Sequence, residues 1–176
     1  VDGARTVRHT RPDSLFEQAH AASKRSCHAL LGLHLRSNNV HGAGEAAVQY
    51  LVGVAADIDT RKHGVADEAA LVALAEAPWG RPSVVIHSGG GLHVVWTYRE
   101  LLDAKDPEDV QQHSIASRVV QEWLNWRLNC LCCDPTDSLT HSFRLPGTVN
   151  WKPERRSENG SFPQVRLLDY AGLRYD

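Results

Sequence analysis

Methionine is missing from this 176-residue sequence, even at the first position, which suggests a domain excised from a larger protein. No apolar stretch approaches the roughly 20 residues that a membrane span requires, so no membrane partner is expected. Residues 1–11 are polar and basic and lack the apolar core of a secretory signal. An excess of positive charge is lacking too. Nineteen Lys and Arg against 21 Asp and Glu give a formal net charge of −2, which argues against a uniformly basic nucleic-acid coat. Local clusters at residues 5–11, 24–25, 61–63 and 152–156 leave room for phosphate paths, although a solvated face is the commoner outcome for any one of them.

Three of the four cysteines fall in the single run Cys130-Leu131-Cys132-Cys133. Cys130, Cys132 and Cys133 are crowded too tightly for a zinc knuckle or an ordinary disulfide framework. They read as small apolar residues buried in a reducing cytosol. Internal repeats and low-complexity tracts are also absent. What remains is a globular composition, 42% hydrophobic and 23% charged, in a chain long enough for one domain spanning residues 1–176.

The pattern predicts a helix over residues 14–26, capped by Asp13 or Ser14, with Leu15, Phe16, Ala19 and Ala22 on its apolar face. A strand over 27–35 is expected to pair as a long hairpin with a second over 49–58. Residues 37–39 and 42–44 read as loop between them. The second strand is apolar on both faces and should be central. A short helix over 67–77 precedes two β-rich runs, 83–87 and 93–98, joined by a glycine-rich turn. Asp106 and Pro107 open a long helix to about residue 128, with Ile115, Val119, Trp123 and Trp126 on its expected buried stripe. Residues 143–152 read as an extended piece broken by Pro-Gly, and 164–170 as a last strand. Hairpins with interposed helices imply an α+β domain with a mainly antiparallel sheet.

One short motif stands out. Asp57 and Asp59 close the apolar run A-A-D-I-D-T, and strand residues two apart face the same way. Two neighbouring carboxylates repel unless a cation lies between them, so the pair is a candidate clamp for Mg²⁺ or Mn²⁺; the alternative is two solvated residues at a strand end. Gly89, Gly90 and Gly91 permit close backbone approach to a phosphate, or simply make a tight turn. His93 follows them, and Asp134 follows a second apolar run.

Taken in order, A-D-I-D-T, P-S-V-V-I-H-S-G-G-G-L-H-V-V-W, C-D-P-T-D and F-R-L-P-G-T-V-N-W-K resemble the catalytic domain of the archaeo-eukaryotic primase superfamily. The likeness is to the primase-polymerase branch of plasmids, phages and mobile elements, and it spans about residues 49–152. It implies an RNA-recognition-like sheet with an added N-terminal α/β lobe and an active site in the cleft between them. Asp57, Asp59 and Asp134 would be the metal-binding catalytic carboxylates, with Asp137 as the fallback for the third. His93, Ser88, Gly90, Gly91 and Arg144 would bind the nucleotide, with Asn150 and Lys152 as weaker phosphate or nucleic-acid contacts.

The implied activity is template-directed nucleotidyl transfer from nucleoside triphosphates on single-stranded DNA, using two Mg²⁺ or Mn²⁺ ions. The implied setting is cytoplasmic, with a helicase module in the full-length protein. Relatives often carry a second acid and an arginine before R-x-P-G, where this chain has Ser138 and His141. That departure motivates an alternative: a replication-initiation domain that binds single-stranded DNA with weak or lost synthesis. A two-metal nuclease is a further option.

Overall fold

The computed structural model describes residues 12–37, 44–134, 136 and 138–176. In chain order these form α1 (Pro12–Lys24), β1 (Leu30–Gly32), β2 (Leu35–Arg36), β3 (Val48–Ile58), α2 (Thr60–His63), α3 (Asp67–Ala75), β4 (Val84–His87), β5 (Leu92–Asp103), α4 (Pro107–Arg127), β6 (Cys133–Asp134), β7 (Ser142–Arg144) and β8 (Arg166–Tyr170), with 3-10 turns at Glu45–Ala47 and Pro153–Arg155. The architecture is α+β. A six-stranded sheet runs β2-β3-β5-β4-β8, with β6 also paired to β3, and β1 and β7 form a separate two-stranded ribbon. The pairings between these strands are antiparallel.

The run expected to be central is central. β3 pairs β5 along one edge, while its other edge is shared by β2 at one end and β6 at the other. Between those short partners, side chains satisfy the exposed backbone: the Val52 N–H donates to His34 Nδ1 at 3.3 Å, and the Thr136 hydroxyl donates to the Ala55 carbonyl at 2.5 Å. Val54, Ala56 and Ile58 face α3 and α4 in the main core with Leu74, Val94, Trp96, Val120 and Leu124. Ala55 faces the other way, packing with Val95 and Phe143 beneath the ribbon. By the two-residue period of a strand, Asp57 therefore lies on the ribbon side of the sheet, away from the helices.

Several expectations need correcting. The predicted strand over 27–35 is broken, because β1 pairs β7 in the ribbon and only β2 reaches β3, so the long hairpin with 49–58 does not form. The first helix starts earlier than expected and leaves Phe16 48% exposed; the side chain of the candidate cap Asp13 falls outside the described residues. Residues 38–43, most of the expected loop, and the basic cluster at 5–11 also lie outside them. Cys132 and Cys133 are buried as expected, whereas Cys27 is exposed.

The long helix begins as predicted, the Asp106 carboxylate capping the Glu108 N–H at 2.8 Å. Its buried stripe is different. His113, Ser117, Val120 and Leu124 face inward, whereas Ile115 and Val119 are about half exposed and Trp126 is 74% exposed. Both sets recur at helical spacing, and tertiary partners choose between them. Of the predicted stripe, Trp123 alone packs against the core, its ring 5.2 Å from that of Trp79. Rotation is fixed by polar contacts that periodicity does not reveal. Tyr98 Oη and His113 Nδ1 are 3.0 Å apart, and Gln121 and Asn125 clasp the Cys133 carbonyl and N–H at 3.2 and 2.9 Å.

His34 and His113 meet edge to face at 5.0 Å. Burial, followed by the charges of His113, Arg36 and His141, pushes the His34 pKa down to about 4. Because the folded value lies below the unfolded 6.5, the unfolded chain binds more protons between those values. Stability from neutral His34 is present above pH 6.5 and lost as pH falls towards 4. In urea titrations, the stability advantage of the parent over His34→Gln should shrink by about 2–3 kcal/mol across that window. An advantage that stays constant with pH would refute this role.

Candidate active site

Asp57 sits where three strands meet. Across β3 and β5 its Cα partner is His93, and across β3 and β6 it is Asp134, so an imidazole and a carboxylate flank it in one row of the sheet. His93 Nε2 lies 3.5 Å from Asp57 Oδ1. The His93 ring stacks at 4.6 Å on Phe143, which contacts His141 at 4.8 Å. Phe143 thus plugs the space between the sheet and the ribbon.

The electrostatics follow from this crowding. Burial, then repulsion from Asp134 and Asp59, pushes the Asp57 carboxyl up to about 6, with Arg144 and Lys152 pulling the other way. Burial, then the positive charges of Arg144, His141 and Lys152, pushes His93 down to about 3. His93 is therefore neutral at physiological pH. It offers a hydrogen-bonding group rather than a charge. Arg144 loses some basicity to burial, but a guanidinium stays charged in proteins, so Arg144 and Lys152 supply the positive side of the site.

The sequence folds locally to hold these groups. Ile58 and Asp57 end β3, and the next residue caps α2, the Asp59 carboxylate accepting from the Lys62 N–H at 3.2 Å. The β4–β5 turn closes over this corner, with the Arg61 N–H donating to the Gly90 carbonyl at 3.1 Å. A Cβ on Gly91 would lie 1.9 Å from the Ile58 carbonyl oxygen, so Gly91 serves the contact between two loops. Gly89, at φ 86°, makes the turn itself. Ser88 is buried within it, its N–H and hydroxyl both donating to the Gly91 carbonyl. Asn150 is buried as well. Its Nδ2 donates to the Ser88 carbonyl at 2.8 Å while its Oδ1 accepts from the Lys152 N–H, making a strut between the glycine turn and the segment after β7.

One participant escaped sequence reasoning. Arg155 Nη2 donates to both Asp59 oxygens, at 2.9 and 2.8 Å, with the two side chains only 10% and 18% exposed. It belongs to the basic run at 152–156, where no pattern separates it from Arg156.

The acids suit a hard divalent cation, which takes carboxylate oxygens. Asp57 and Asp134 are paired across strands, and burial, with the Asp134 and Asp59 charges added to it, raises the Asp57 pKa. Asp59 is held by Arg155. Among the described residues, no group of three or more His, Cys, Asp or Glu side chains is placed to hold a metal ion. Asp137 lies outside the described residues. Buried nitrogens without a protein partner in this corner are His93 Nδ1, His141 Nε2, Arg144 Nε and Arg155 Nε.

The antiparallel sheet, its two-stranded ribbon and the helices behind it have a counterpart among known folds. Among solved structures, the chain is similar to the AEP domain of the cyanophage S-2L primase-polymerase, with a TM-score of 0.56 and 14% identity over 94% of this chain and 72% of that one. At that identity the likeness establishes the fold. No family model matches the sequence, and no curated protein matches it. No helix among the described residues is long and apolar enough to cross a membrane.

Proposed function

We propose that this domain is a metal-dependent primase-polymerase catalysing template-directed nucleotidyl transfer from nucleoside triphosphates on single-stranded DNA. The observation that carries the reading is the row Asp134, Asp57, His93 across β6, β3 and β5, faced by Arg144 and Lys152. A carboxylate pair beside a cationic wall suits a reaction in which a metal-bound triphosphate meets a hydroxyl nucleophile.

Asp57 and Asp134 would hold Mg²⁺ or Mn²⁺, with Asp59 as third ligand. The bound ions would lower the pKa of the attacking 3′ hydroxyl and neutralise the departing pyrophosphate. The remaining work falls to the chain itself. Arg144 and Lys152 draw the triphosphate in and balance its charge, while neutral His93, buried and stacked on Phe143, orients a phosphate oxygen by hydrogen bonding. The turn at residues 88–91, braced by Asn150, sets the wall against which the phosphates lie.

The test is extension of a labelled primer on a single-stranded template with Mg²⁺ or Mn²⁺. The parent should incorporate nucleotides, and Asp134→Asn should lose about a hundredfold or more, the scale of losing one charge-stabilising group, while keeping its far-UV circular dichroism. Incorporation without added metal, or an Asp134→Asn variant as active as the parent, would sink the proposal. Retained binding of single-stranded DNA with no incorporation under either metal would favour the binding-domain alternative.

A further inference from the structure

The Arg155–Asp59 pair is unusual for a catalytic carboxylate. One guanidinium nitrogen reaches both oxygens, and the Lys62 N–H reaches one of them again, so the carboxylate is occupied by protein donors. The guanidinium lies against the glycine turn. A Cβ on Gly90 would come within 2.4 Å of its central carbon, so Gly90 makes room for the Arg155 head. Arg155 Nε is buried with no protein partner, so the fork is only partly used. Its backbone is tied into the same strut as the turn, the Arg155 N–H donating to the Lys152 carbonyl at 2.9 Å. Carboxylates and phosphates present the same paired-oxygen edge to a guanidinium, so a fork displaced from one can engage the other with little rearrangement.

We propose that Arg155 is a latch: its guanidinium neutralises Asp59 until a divalent cation displaces it, and the released fork then engages the phosphates of the incoming nucleotide. This rests on the reading of Asp57, Asp59 and Asp134 as metal ligands. Metal loading and nucleotide capture thereby become coupled through one positioning side chain. Divalent ion alone must compete with Arg155, while ion and nucleotide together give both Asp59 and Arg155 new partners.

The test measures Mn²⁺ binding by the loss of its free electron paramagnetic resonance signal, first with Mn²⁺ alone and then with a non-hydrolysable deoxynucleoside triphosphate analogue. Arg155→Gln should bind Mn²⁺ alone about fivefold more tightly or better. At saturating Mn²⁺ it should bind the analogue about tenfold more weakly, because a charge-assisted contact is gone. A merely structural role would weaken both. Gly90→Ala supplies a second variant that leaves Arg155 in place but pushes its flexible head away, and it should also tighten Mn²⁺ binding. If the parent binds Mn²⁺ and neither variant binds it more tightly, the latch is wrong and the metal site stands. Tighter Mn²⁺ with unchanged analogue binding overturns the hand-over to phosphate. No Mn²⁺ binding by the parent or either variant at millimolar concentration overturns the latch and the metal reading together.

Discussion

Asp57→Asn should abolish nucleotide incorporation and, in the same protein without metal, raise its melting temperature. The two effects share a cause. Asp57 carries a carboxyl pushed up to about 6 from an ordinary 3.8 by burial and by Asp134 and Asp59. Since the folded value exceeds the unfolded one, stability from this group is fully present below the unfolded value and lost as pH rises through about 6. Above pH 7 the ionised side chain costs the metal-free fold up to about 3 kcal/mol, which the neutral amide removes. Thermal melts in chelator at pH 8 should show Asp57→Asn several degrees above the parent, with the gap closing towards pH 5. A variant that melts lower than the parent at pH 8 would mean that Asp57 is held by attraction to Arg144 and Lys152 instead.

Gly91→Ala should be strongly destabilising for so small a substitution. The added methyl would meet the Ile58 carbonyl at 1.9 Å and the Thr60 nitrogen at 2.9 Å, and both are backbone atoms that cannot swing aside. Overpacking of this kind costs about 3 kcal/mol or more, a drop in melting temperature of about 10 °C for a domain this size. Because the displaced backbone carries Asp57 and Asp59, activity should fall further than stability alone explains. Gly44→Ala is the control. Nothing lies within 4 Å of a Cβ there, and its melting temperature should stay within a degree or so of the parent. Equal melting of Gly91→Ala and the parent would show that the two loops do not pack as described.

The legible parts of the sequence were those whose causes are local. An apolar run on both faces marked β3 as central, Asp106-Pro107 marked the start of α4, and the glycines marked the β4–β5 turn. Asp57, His93 and Asp134 could be singled out because chemistry needs those residue types, and the sheet register brings them into one row. The illegible parts were decided by distant partners. Two helical stripes competed on α4, and the Tyr98–His113 contact with the Gln121 and Asn125 clasp decided for the more polar one. The strand before β3 split because Leu30 to Gly32 found β7 instead. Arg155 acquires its meaning only when Asp59 and Gly90 are beside it in space.

The divided edge of β3 bears on the order in which the molecule folds. β5 reaches β3 after a modest excursion of chain, but β6 must wait for all of α4 to intervene and for Gln121 and Asn125 to offer it a seat. Closing the longer loop is entropically costlier, and a two-residue strand repays little of that cost. Asp57 and His93 should therefore be neighbours well before Asp134 arrives. Pulsed hydrogen exchange should find the β3–β5 amides protected ahead of the Cys133 amide, so the carboxylate pair is a late product of folding and its mutual repulsion is met only by an otherwise finished domain.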